Sequence, residues 1–188
     1  VHPRKNCLIS QREVGVHAES FSSAVLSALR EDPDVILVGE LRDLETISTA
    51  ITASEMGILV MATLHTNGAA ATVDRMVNAF PPEKQGHVRT MLSTSLRGVV
   101  SQQLITRKGP PGRVAAIEVL INTPAVSNLI RQGKIDQLET AMQAGTSLGM
   151  RTMDVAIQQL LDSGQISGRS AYEKAITKSK FEELKEFD

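Results

Sequence analysis

Residues 34–68 read DVILVGELRDLETISTAITASEMGILVMATLHTNG, and the fold class follows from them. Val35–Val38 is an apolar run, β-branched except for Leu37. A short apolar run without alternation predicts a strand buried on both faces. Pro33 precedes it and closes off the helix before. Gly39-Glu40 then ends the strand on a carboxylate. Asp43 is placed to cap a helix whose apolar positions Leu44, Ile47, Ala50 and Ile51 fall at helical spacing. Gly57 suits the left-handed position after that helix. A second apolar run, residues 58–64, ends in His65-Thr66. Strand, helix, strand, with enough chain for a crossover, predicts two parallel strands. Glu40 and His65 then belong to the carboxyl edge of the sheet, where open α/β sheets bind ligands.

The 188 residues suit one globular domain, or a domain plus a lobe. Aromatic residues make up 3% and Trp is absent, so the core must be aliphatic. The net charge of −1 gives no electrostatic reason to expect nucleic acid or an acidic membrane as the main partner. One cysteine, Cys7, excludes an intrachain disulfide and a cysteine-based metal cluster, and no metal site is expected. Beside an apolar run it reads as an inert core thiol. A reducing, cytoplasmic compartment is the default for such usage. No apolar run approaches the roughly 20 residues that span a bilayer. The start, VHPRKN, is polar and unlike a signal peptide. It has no initiator Met, so a fragment or a processed chain is expected.

In chain order, residues 7–9 and 13–16 read as two short strands. Residues 21–31 read as a helix with Phe21, Val25 and Leu29 on one stripe and Ser20 as its cap. Beyond Asn67-Gly68 a helix is expected over about 69–78. A second starts at Pro82 and runs to about residue 100, with Val88, Met91, Leu92, Leu96 and Val99 facing in. Residues 103–107 and 113–120 flank Gly109-Pro110-Pro111-Gly112 and predict a β-hairpin. After Thr123-Pro124 only helical periodicity remains, in four or five short helices. A boundary near Asn122 divides an α/β part, 1–122, from an all-helical lobe, 123–188. The charged tail from residue 178 reads as a frayed helix.

Glu40, at the end of a buried strand, is suited to orient or deprotonate a water, or to act through a metal; the plain alternative is a polar strand exit, an early-turn helix acid or cap, or a partner for Arg42. His65 is suited to touch a phosphate or relay a proton; the alternative is a hydrogen-bonded loop histidine. His2, His17 and His87 read as surface residues. Arg12, Arg42, Arg75 and Arg89 are candidates for phosphate or inter-subunit contacts, against the alternative of solvated surface groups. No G-x-x-x-x-G-K-[ST] loop occurs in the chain, so the residues alone give no self-sufficient nucleotide site.

The chain resembles the C-terminal part of PilT-type pilus retraction ATPases, in the type II/IV secretion ATPase superfamily. The stretches that carry the resemblance are QREVG at 11–15, ALREDPDVILVGELRDLETI at 28–47 and TLHTNGAAATVDRM at 63–76. FPPEKQ at 80–85, SLRGVVSQQLI at 95–105, RVAAIEVLINTPAVSNLIRQGKI at 113–135 and SLGMRTMD at 147–154 continue it. The resemblance covers nearly the whole chain. It implies a RecA-like core working as a homo-hexamer, with ATP and Mg²⁺ as cofactors and pilus retraction, seen as twitching motility, as output. It also implies a cytoplasmic location, peripheral at the inner-membrane base of the pilus, beside a platform protein and without nucleic acid.

By the same resemblance ILVGE at 36–40 corresponds to an atypical Walker B, with Gly39 where most P-loop enzymes carry Asp, and Glu40 to the catalytic glutamate. His65 corresponds to the His box that senses the γ-phosphate, with Thr66, Arg42, Arg75 and Arg12 as further phosphate-sensing candidates. The retraction motif AIRNLIRE is here AVSNLIRQ at 125–132; Asn128, Leu129, Ile130 and Arg131 match it, while Val126, Ser127 and Gln132 depart. The departures leave room for a PilT-like paralogue that assists a retraction motor. The single cysteine argues against the extension and secretion members, which usually carry a four-cysteine insert. VHPRKN resembles the residues just after the acidic Asp-box. The Walker A loop, most of that box and a PAS-like domain are expected upstream of Val1, so this chain alone is expected to be inactive. An exposed apolar face or edge is then expected where upstream strands would pack. Two readings from other classes stand beside the motor. One is a non-catalytic oligomerisation or interaction module. The other is a DNA-processing motor, weakened by the near-neutral charge and the missing aromatic-basic groove.

Overall fold

The computed structural model describes residues 6–185; the readings of His2 and of VHPRKN up to Lys5 lie outside them. The chain divides into two compact units, one ending at Leu64 and one beginning at His65.

In the first unit, β1 (Val35–Val38) and β2 (Leu59–Ala62) pair in parallel, with Val35 opposite Leu59 and Val38 opposite Ala62. α2 (Leu44–Glu55) joins them, and α1 (Phe21–Ala28) precedes them. Ser20 caps α1 in a reciprocal pair with Ser23. The Asp43 carboxylate accepts from the Thr46 N–H at 2.8 Å and caps α2. Ile36, Val38, Ile47 and Ile51 are buried. Burial on both faces does not hold: Val35 and Leu37 are 48% and 57% exposed, Leu59 and Met61 46% and 49%. Side chains alternate across a strand, and among the described residues α1 and α2 cover only one side. The other side is an exposed apolar face.

Residues 7–16 form no strand. Gly15, at φ +87°, turns the chain instead, and Val14 and Ala18 make one isolated bridge. Cys7 is exposed, not a core thiol.

In the second unit, α3 (Ala69–Asn78) and α4 (Pro82–Ser95) lead into a hairpin of β3 (Gly98–Thr106) and β4 (Arg113–Ile121). The helix expected to reach residue 100 stops at Ser95, and β3 starts earlier than residue 103. The Asn122 side chain causes the stop, donating to the carbonyls of Ser93 at 3.1 Å and Leu96 at 2.8 Å. Gly98 then lets β3 close on β4: a Cβ there would lie 2.8 Å from the Leu120 carbonyl oxygen. Val99 therefore faces inward from a strand, not from a helix.

The helical region follows as α5 (Pro124–Gln132), α6 (Leu138–Ala144), α7 (Met153–Asp162) and α8 (Gly168–Lys174), then a 3-10 helix, Lys178–Leu184. The tail thus keeps a helical form, tighter than an α-helix, and buries Phe181. Ile105 and Ala116 of the hairpin share one core with Met153, Ile157, Ala171 and Phe181. The change of character near Asn122 falls inside this unit.

Candidate functional site

Gly39, Glu40 and Leu41 leave β1 at its carboxyl end. The Leu41 N–H donates to the Thr63 carbonyl at 2.9 Å, and the Thr63 hydroxyl donates to the Gly39 carbonyl at 2.5 Å. These bonds tie the exit of β1 to the exit of β2. Asp43 already caps α2, so Glu40 is not needed there. The Glu40 carboxylate lies 2.6 Å from the Arg42 guanidinium, with the Glu40 side chain 21% exposed and that of Arg42 70%. The hydrogen bond and the charge of Glu40 hold the Arg42 pKa above its ordinary value. Arg12 is engaged elsewhere in this unit, paired with Glu31 and donating to the Ala24 carbonyl at 3.3 Å.

In the second unit, His65 is exposed and opens the loop into α3. Arg75 reaches back and donates to the His65 carbonyl at 3.1 Å. The Thr66 and Thr72 hydroxyls are 2.7 Å apart, and Thr72 donates to the Gly68 carbonyl at 2.8 Å. α3 has no side-chain cap of its own. Glu118 of β4 supplies one: the Ala69 N–H donates to its Oε1 at 2.6 Å. The Met153 N–H, at the start of α7, donates to Oε2 at 3.0 Å. Glu118 is 5% exposed. Sequence reasoning missed this residue, although a lone acid in the run VAAIEVLI at 114–121 is itself a signal.

α5 carries the retraction-like motif. Ile130 is buried, Asn128 and Arg131 are exposed, and Leu129 is half-buried. Arg131 donates to the Asn128 side chain at 3.3 Å. Ser127 donates to the Ser93 carbonyl at 2.6 Å and ties α5 to α4. Gly133 ends α5 at φ +73°, where an added Cβ would lie 3.5 Å from the guanidinium nitrogen Nε of Arg89.

Asp154, also missed, accepts the Ile176 N–H at 2.8 Å and the Thr177 N–H at 3.2 Å, and pairs with Lys180 at 3.2 Å. Burial works to raise its pKa, but hydrogen bonds from Thr177, Ile176 and Lys180 outweigh it and hold the carboxyl below its usual value. A cleft of about 250 Å³ is lined by Glu118 and Asp154, and also by Asn67, Gly68, Glu139 and Ile176. No group of three or more His, Cys, Asp or Glu among the described residues is arranged to hold a metal ion. No helix among them is long and apolar enough to cross a membrane.

A parallel strand pair whose exits lead to an acid and a histidine defines an α/β protein of the parallel-sheet class. The family is narrower: the chain belongs to the type II/IV secretion system protein family, whose model matches residues 9–169. It is 55% identical over 175 residues to the type IV pilus retractation ATPase PilT of Pseudomonas aeruginosa, covering 93% of this chain and 51% of that protein. It is 53% identical over 175 residues to a twitching motility protein of Neisseria gonorrhoeae, covering 93% and 47%. A crystal structure of the pilus retraction motor PilT with bound ADP matches at a TM-score of 0.88 and 43% identity, over 98% of this chain and 52% of that one. The chain thus spans about half the length of the relatives it matches.

Proposed function

We propose that the full-length protein carrying this chain hydrolyses ATP with Mg²⁺ and drives type IV pilus retraction as a homo-hexamer. Its place is the cytoplasmic face of the inner membrane, beside the pilus platform protein. Residues 1–122 are the C-terminal part of its RecA-like core and 123–188 its helical lobe. Glu40 orients or deprotonates the attacking water. His65 and Thr66 sense the terminal phosphate, with Arg42 and Arg75 as supporting charges. Arg12 takes part only by leaving Glu31. Asn128, Leu129, Ile130 and Arg131 carry the motor output.

The observation that carries this reading is the exit of β1. A carboxylate there, with α2 capped by Asp43 instead, supports a water-activating role at the carboxyl edge of a parallel sheet. Similarity to PilT proteins over most of the chain supports the substrate and the output. The residues present fit the hydrolytic side of a nucleotide site. They do not supply a phosphate cradle, because the G-x-x-x-x-G-K-[ST] loop is absent from this chain.

The test is to express the full-length protein in piliated cells that lack their retraction motor. Restored twitching, lost again with Glu40→Gln, is expected. ATP hydrolysis without restored twitching would instead favour a paralogue that assists another motor. Ser127 supports that second reading, because it commits the changed motif position to α4. Absence of hydrolysis in the full-length protein would leave the non-catalytic module.

A further inference from the structure

Glu118 sits on β4, buried, with one donor on each carboxylate oxygen. The two donors are backbone amides at the starts of two helices, α3 and α7. Each helix start carries partial positive charge, so a carboxylate shared between them is favoured by both. The α3 side leads straight back through Gly68, Asn67 and Thr66 to His65. Gly68 has φ +115°, and a Cβ on it would stand 3.4 Å from Glu118 Oε1, so the loop is fitted closely to the carboxylate. The α7 side is anchored further. Val119 and Arg151 exchange backbone hydrogen bonds at 2.8 and 3.0 Å, and the Arg151 side chain donates to the Ile117 carbonyl at 2.9 Å. β4, Glu118 and the start of α7 therefore form one braced piece.

We infer that Glu118 is a positioning residue that couples the His65 loop to the C-terminal helices, so that a shift of the loop is passed to α7. A buried carboxylate oxygen that loses its donor is costly, so the starts of α3 and α7 move together rather than part. Glu118 touches no reacting atom in this account; it acts through the backbone at Ala69. The inference rests on the reading that His65 senses the nucleotide.

Glu118→Gln keeps the shape but turns one acceptor into a donor facing a backbone N–H. In the full-length protein it is expected to lower turnover by about 10- to 100-fold through misplacement of the His65 loop, with ATP affinity within about twofold. His65→Ala is also expected to lower turnover. If Glu118 acts through the His65 loop, the double variant falls no further than His65→Ala alone. Losses that multiply overturn the coupling while leaving the role of His65 intact. A His65→Ala variant with normal turnover overturns both. A second measurement needs no variant and stands if Glu118→Gln fails to fold: amide exchange at Ala69 and Met153 in the unmodified protein, with and without ADP. Protection that changes at both amides together is expected. Protection that changes at Ala69 alone overturns the inference.

Discussion

Gly68 combines φ +115° with ψ 160°, a region that side chains other than hydrogen rarely enter. It is also buried against Glu118. Gly68→Ala is expected to lower folding stability by about 1–3 kcal/mol, read as a shift of the denaturant midpoint. A loss under about 0.5 kcal/mol would show that the loop has room to relax. Sequence reading singled out Asn67-Gly68 only as a turn into a helix. The demand on Gly68 comes from a carboxylate some fifty residues later in the chain, and no local pattern carries that. Glu40 was legible because everything that defines it is local: an apolar run, its end, and the start of the next helix. Its partner Arg42 is local too. Of the two competing roles, the helix cap falls to Asp43, three residues on, which has the better position for the Thr46 N–H, while the pairing with Arg42 is the contact observed.

At the scale of elements, the strand–helix–strand unit, the caps at Ser20 and Asp43, and α3 were all legible from periodicity and capping chemistry. The end of α4 was not. Its apolar spacing continues past Ser95, and a distant residue, Asn122, takes up the terminal carbonyls. The clasp of the C-terminal segment is equally non-local. Asp154 holds Ile176, Thr177 and Lys180 from the first turn of α7. Its folded pKa is lowered, so its contribution is present above the unfolded value of about 3.9 and is lost as pH falls through the folded value. Exchange protection of the Ile176 and Thr177 amides is therefore expected to hold steady from pH 8 to 5 and to fall once the pH drops below about 4. Loss of that protection near pH 6 would assign the clasp to another group. Asp154→Asn leaves a neutral acceptor for charged and backbone donors, and is expected to cost about 1–3 kcal/mol and to free the 3-10 helix first.

For the whole molecule, the informative surface is the face of Val35, Leu37, Leu59 and Met61. The apolar runs mark the strands but not how many of their faces are covered. In the 188-residue chain, Leu37→Lys is expected to change stability by no more than about 0.5 kcal/mol and to reduce self-association. In the full-length protein the same change is expected to cost about 2 kcal/mol or more, because it places a charge on a covered face. Equal effects in both would mean that the face stays open. The proposed division of labour makes Glu40 responsible for the water and leaves phosphate binding to residues outside this chain. The most direct test is Glu40→Gln in the full-length protein, with nucleotide affinity and steady-state hydrolysis measured on the same sample. Hydrolysis is expected to fall by about 10²–10⁴-fold, some 3–5 kcal/mol in the barrier, while affinity changes little because the amide keeps the shape of the carboxylate. Near-normal turnover would contradict the assignment, leaving Glu40 as the half-buried partner of Arg42.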